Sequence, residues 1–171
     1  VILLHGMKFK AATWEELGTL ERITDAGFQA IAIDMPGFGN SPACSMEQTT
    51  VLQHFLKNIG QEKVILVGPS MGGRIAMEFT ISNPDMVSGL VLVGPVGVEE
   101  NKDQLPSIRV PTLLVWGSKD QISPLSNCDI LMNSIAGANK IIIEGAPHPC
   151  YLDNPDKWHT ELMNYLHSQQ G

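Results

Sequence analysis

Six short runs rich in Val, Ile and Leu punctuate the chain, at Val1–Leu4, Ala30–Ile33, Val64–Val67, Gly89–Val93, Thr112–Trp116 and Lys140–Ile143. Their apolar residues are consecutive rather than alternate, so as strands they need cover on both faces. Amphipathic stretches between them supply that cover. One helix is predicted over Trp14–Ala26, with Thr13 and Glu16 spaced as a capping box and Gly27 as the stop. Others begin at Ser45, run from Met71 to Ser82 ahead of Asn83-Pro84, span Pro124–Ile135, and run from the Asn154-Pro155 start to Ser168. This rhythm implies a doubly wound α/β domain on a mostly parallel sheet. No repeat, low-complexity tract or linker interrupts it, so residues 1–171 are read as one domain. A domain of this length hides roughly 70% of its unfolded surface and needs neither disulfides nor metal to hold together.

Eleven Lys and Arg against eighteen Asp and Glu leave a net charge of −7. That is the wrong field for a nucleic acid or an anionic membrane. No apolar run reaches the roughly 18–20 residues of a membrane span. Cys44, Cys128 and Cys150 lack CxxC spacing, which argues against a zinc site and for a reducing compartment, cytoplasmic or also nuclear. The chain opens on Val inside a strand-like run, without Met or leader, so a preceding segment is expected to be missing.

In open parallel sheets, ligands bind beyond the carboxyl ends of the strands. After Val64–Val67 comes Gly68-Pro69-Ser70-Met71-Gly72, a G-x-S-x-G between strand and helix. Small residues on either side let the backbone turn sharply, and the turn exposes the Ser70 hydroxyl at a helix N-terminus. His5-Gly6-Met7 follows the first strand, and the Met7 and Met71 amides are the candidate oxyanion donors. Asp120 follows the fifth strand in Gly117-Ser118-Lys119-Asp120, and His148 follows the sixth in Glu144-Gly145-Ala146-Pro147-His148. The chain order Ser70, Asp120, His148 suits a nucleophile, an orienting acid and a general base. Glu100 and Asp103 are weaker candidate acids. His5 reads as a loop brace, His54 as structural, His159 and His167 as surface or packing residues, and Cys150 as a small apolar filler. Met7, Phe9, Trp14, Phe38, Met71 and Tyr151 are the expected pocket lining. The Gly- and Pro-rich stretch from Asp34 to Pro42 reads as a tight loop, not a phosphate cradle, since no G-x-x-x-x-G-K-[ST] is present. No cofactor or metal is called for.

Taken together, His5-Gly6, Asp34-x-Pro36-Gly37-x-Gly39-x-Ser41, Gly68-x-Ser70-x-Gly72, Gly117-x-x-Asp120 and Gly145-x-Pro147-His148 resemble the α/β-hydrolase superfamily along the whole chain. The stretches His5-Gly6-Met7-Lys8-Phe9 with Thr13-Trp14, Leu17–Leu20, His148–Asp153, and Pro155 with Trp158-His159-Thr160 resemble the small lidless α/β-hydrolase domain-containing protein 14 group. The resemblance implies the α/β-hydrolase fold, a Ser–His–Asp triad, activity on small activated acyl esters, and acyl transfer to a thiol such as coenzyme A. Two departures stand out. That group carries Ser where this chain has Gly72 or Gly73, and the strands that usually precede the His-Gly strand are absent, which is expected to leave an open sheet edge. Only Gly94–Pro111 separates the fourth and fifth strands, room for a loop or one short helix and not for a cap domain.

The sequence thus points to a serine hydrolase with a small-molecule acyl substrate. Two other roles fit the same fold: a ligand receptor without turnover, and a protein-interaction module. Carbon–carbon bond hydrolysis also uses Ser at this position. An Asp-dependent dehalogenase is disfavoured by Ser70.

Overall fold

The computed structural model describes residues 1–171. Its sheet holds β1 (Ile2–Leu3), β2 (Ile31–Ala32), β3 (Val64–Pro69), β4 (Val87–Val93), β5 (Thr112–Gly117) and β6 (Asn139–Ile143). All pairings are parallel and the order is β2-β1-β3-β4-β5-β6. β1 lies between β2 and β3, so the chain leaves β1 to one side and returns to the other. That reversal opens a crevice beyond the carboxyl ends of β1 and β3. The His5 loop and Ser70 follow those two ends. β2 forms one sheet edge, with Ile31 and Ala32 half-buried.

Because side chains alternate across a strand, each central strand feeds two cores. Leu66, Leu90, Leu92, Leu114 and Trp116 pack on one face against α3 (Gln48–Asn58), α4 (Ser70–Ser82) and α5 (Leu125–Ser134). Ile65, Val67, Val91, Val93 and Val115 pack on the other against α1 (Ala12–Glu16), α2 (Thr19–Asp25), α6 (Cys150–Asp153) and α7 (Pro155–Ser168). Trp14, Trp116 and Trp158 are fully buried. Each is large enough that truncation to Ala would cost about 3–5 kcal/mol.

Three expectations need correction. The helix over Trp14–Ala26 is two helices, because Gly18 adopts φ 77° and turns the chain between α1 and α2. Thr13 therefore lies inside α1, no side chain caps that helix, and the Thr13/Glu16 box does not form. The helix expected from Ser45 starts at Gln48, because Ser45 does not cap it and the residues before it form bends. By contrast, Gly27 follows α2 at φ 87°, and Asn154 caps α7 by accepting from the Lys157 amide at 3.1 Å. Between β4 and β5 the chain forms only a short 3-10 turn at Lys102–Ser107.

Candidate active site

β3 ends at Pro69 and α4 begins at Ser70 with no connecting residue. Ser70 is the only non-glycine residue with positive φ, at 49°. A side chain in this region carries about 1–3 kcal/mol of strain, tolerated where the surroundings leave no alternative. Here the surroundings are tight. A Cβ on Gly72 would stand 2.7 Å from the His5 carbonyl oxygen, and one on Gly73 2.7 Å from Pro95 Cβ. A Cβ on Gly68 would collide with the Gly72 carbonyl. The glycines around Ser70 are therefore a steric demand of this backbone, and neither position 72 nor 73 has room for a side chain without movement of its neighbours.

The Ser70 hydroxyl lies 2.8 Å from His148 Nε2, and His148 Nδ1 lies 2.7 Å from Asp120 Oδ2. With Nδ1–H donating to the carboxylate, Nε2 is free to accept from the hydroxyl. Asp120 is in turn held from behind: the Ile122 and Ser123 amides each donate to its Oδ1 at 2.9 Å. Ser123 is itself anchored, since its carbonyl accepts from Trp116 Nε1 at 2.7 Å and its hydroxyl donates to the Pro95 carbonyl at 2.6 Å. The loops bearing Asp120 and His148 are tied by the Lys119 amide donating to the Ala146 carbonyl at 3.0 Å. Gly94 closes the arrangement from β4. At φ 48° it brings backbone so near that a Cβ would stand 2.8 Å from Asp120 Oδ2. Neither alternative acid joins in: Glu100 faces Arg74 Nη1 at 3.6 Å, and Asp103 is exposed.

The Met7 amide has no acceptor within the protein. Met71 is the second residue of α4, where an amide has no intrahelical acceptor. Two backbone donors thus flank Ser70. The His5 loop is braced from both ring nitrogens: the Met35 amide donates to Nε2 at 3.0 Å, and Nδ1–H donates to the Gly6 carbonyl at 2.8 Å. Asp34 organises the next loop by accepting from the Ala11 amide at 2.7 Å and the Asn40 amide at 2.9 Å. Burial works to raise its carboxyl, but these two bonds, with His5 and Lys10 nearby, hold it below the usual range.

Ser70 and His148 open on a cavity of about 400 Å³. Of the expected lining residues, Met7, Phe9, Met71 and Tyr151 line it. Trp14 and Phe38 do not. Trp14 stands behind Tyr151, stacked on it at 5.1 Å, with its Nε1 donating to the Leu4 carbonyl at 2.8 Å. Phe38 packs edge-on against the His5 ring at 5.1 Å. The wall also includes Pro149, next to His148, and Val93, Val96 and Ile122, which carry no motif. Cys150 is wholly buried, and its thiol is pushed up to about 12 by burial, with Asp120 adding to the effect, so it is inert. His54, expected to be structural, is exposed on α3; His167 is exposed, and His159 is buried against Thr19. No grouping of His, Cys, Asp and Glu is arranged to hold a metal ion, and no helix is long and apolar enough to cross a membrane.

Comparison with known proteins agrees with this architecture. The family model described as "alpha/beta hydrolase fold" matches residues 1–105. ABHD14B of Rattus norvegicus, named as a candidate protein-lysine deacylase, is 33% identical over 97% of this chain and 82% of its own length. ABHD14A of Danio rerio is 35% identical over 97% of this chain, which spans 63% of that longer protein. The crystal structure of a predicted CIB-like hydrolase from Thermoplasma acidophilum superposes with a TM-score of 0.94 at 30% identity, covering 98% of this chain and 86% of that one. An all-parallel sheet reversing at β1 and β3, a strained Ser at the end of β3 and these matches together make the chain a member of the α/β-hydrolase family, of the ABHD14 type.

Proposed function

We propose that this protein is a serine hydrolase acting on small acyl esters, with Ser70 as nucleophile, His148 as general base and acid, and Asp120 as the residue that orients the imidazole and stabilises the imidazolium. The unbroken run of hydrogen bonds from the Ser70 hydroxyl through both nitrogens of His148 to Asp120 carries the reading. In the first half-reaction, Ser70 Oγ attacks the ester carbonyl carbon while its proton passes to His148 Nε2. Negative charge develops on the carbonyl oxygen, where the Met7 and Met71 amides donate. Collapse breaks the bond to the leaving oxygen, which takes the proton from Nε2, and the acyl group stays on Ser70. In the second half, water attacks that acyl carbon, gives its proton to Nε2, and the acid departs as Ser70 regains the proton.

The small cavity and the bare 3-10 turn between β4 and β5 support short or exposed acyl groups over long lipids. The name of ABHD14B adds an acyl-lysine amide as a donor for this site. A thiol in place of water would make the second half an acyl transfer. Neither variant needs a cofactor.

The test is steady-state hydrolysis of p-nitrophenyl esters from acetate to octanoate. Sustained turnover that declines with chain length, and falls to the uncatalysed rate in Ser70→Ala, is expected. A single burst of nitrophenol without turnover would instead favour a receptor that keeps the hydrolase shape.

A further inference from the structure

The protein has two tyrosines, and they are treated differently. The Tyr165 hydroxyl donates to the Pro111 carbonyl at 2.8 Å and accepts from the Leu90 amide at 3.0 Å. Tyr151 is more deeply placed, at 2% exposure, yet its hydroxyl has no partner in the protein. It is not one of the enclosed orphan atoms, which are Gln48 Oε1 and Trp158 Nε1. The Tyr151 oxygen therefore keeps some accessible surface, and the void that the residue lines is the cavity beside Ser70.

The ring has little freedom to turn the hydroxyl elsewhere. Trp14 stacks on it at 5.1 Å, while Phe9 at 6.3 Å and Trp158 at 6.1 Å meet it edge-on. The cavity's other polar side chains offer it no partner. Ser70 and His148 are bonded to each other, and Lys8 is exposed at the rim. Burial raises the Tyr151 phenol well above its ordinary value, with Cys150 adding to the effect, so it stays protonated and offers both a donor and an acceptor.

A wholly alkyl substrate filling this cavity would strip water from that hydroxyl and give nothing back. We infer that Tyr151 is a specificity-determining residue whose hydroxyl hydrogen-bonds a polar atom of the substrate, so that the preferred acyl donors carry an amide, carbonyl or ether group inside the cavity. This rests on the serine-hydrolase reading above and goes beyond it by naming a substrate feature.

Tyr151→Phe keeps the ring and removes only the hydroxyl. The variant and wild type are compared on two matched pairs of esters. The first pair is p-nitrophenyl pentanoate and the p-nitrophenyl ester of N-acetylglycine, which differ in the acyl group. The second is 2-naphthyl and 7-coumarinyl butanoate, which differ in the leaving group. Intrinsic reactivity cancels in the ratio of variant to wild type. In one pair at least, kcat/KM for the polar ester is expected to fall about 10-fold relative to its apolar partner, and the pair that responds shows which side of the ester Tyr151 touches. The apolar esters, and the rate at which a fluorophosphonate labels Ser70, are expected to stay within about twofold. Equal changes for both members of both pairs, or a parallel loss of labelling, would overturn the assignment of Tyr151 alone. Failure of wild type to hydrolyse any of the four esters would overturn the hydrolase reading and this inference with it.

Discussion

Replacing Asp120 with Asn tests the hydrogen-bond chain at its most sensitive point. The carboxylate accepts three bonds, from His148 Nδ1 at 2.7 Å onto Oδ2 and from the Ile122 and Ser123 amides at 2.9 Å each onto Oδ1. Asn has one acceptor oxygen and one amino group. The two backbone donors claim the oxygen, which leaves the amino group aimed at His148 Nδ1. Two donors cannot face each other, so the imidazole proton moves to Nε2 and Nδ1 becomes the acceptor. Nε2–H then cannot take the Ser70 proton. The expected loss in kcat is about 10³–10⁴-fold, or about 4–5.5 kcal/mol of transition-state stabilisation. Folding should hardly change, because both amide bonds survive. Asp120→Ala is the contrast: it leaves the buried Ser123 amide without an acceptor, at about 1–3 kcal/mol. That corresponds to roughly 2–4 °C in Tm per kcal/mol for a chain of this size. Rates on p-nitrophenyl acetate and thermal unfolding of both variants give the answer. An Asn variant within tenfold of wild type would refute the reasoning.

Gly94→Ala adds a methyl 2.8 Å from Asp120 Oδ2 at a φ of +48°. It should lower kcat/KM by about 10–100-fold through a displaced carboxylate, and an unchanged rate would show that the end of β4 does not constrain Asp120. Gly18→Ala sits at φ +77° with no atom within 4 Å of the new methyl. It should cost only the left-handed penalty of about 1–2 kcal/mol in stability and leave activity intact; a larger loss would mean the α1–α2 break is misread. His159 is held below the usual histidine range by burial, reinforced by Arg22 and opposed by Asp156. The unfolded chain therefore takes up the proton first as pH falls. The site's contribution is full above about pH 6.5 and drains away as pH drops through the folded-state value. His159→Gln should flatten the fall of Tm between about pH 7 and pH 5, and an unaltered slope would contradict that assignment.

What could be read ahead of the structure was local. The apolar runs located every strand to within two residues, because a strand covered on both faces cannot hide its composition. Ser70, Asp120 and His148 were visible because each follows such a run, and chain order did the rest. The break at Gly18 was not visible. A glycine inside a helical pattern costs only about 1 kcal/mol, so the pattern alone does not distinguish a tolerated glycine from one that takes φ 77°. Gly94 was missed because its demand comes from Asp120, 26 positions away in the chain. The pocket was half legible. Phe9 and Tyr151 follow functional motifs and do line the cavity, whereas Val96 and Ile122 reach it only through the path of their loops. Trp14 lies close to a functional motif in the chain, but its indole nitrogen is committed to the Leu4 carbonyl and its ring to the core.

The most direct measurement is the mass of the intact protein after exposure to a fluorophosphonate, followed by peptide mapping. A single adduct on Ser70, abolished in Ser70→Ala and strongly slowed in His148→Ala, is the outcome the proposed nucleophile requires. A folded protein that takes up no label, or takes it up on another residue, would contradict it.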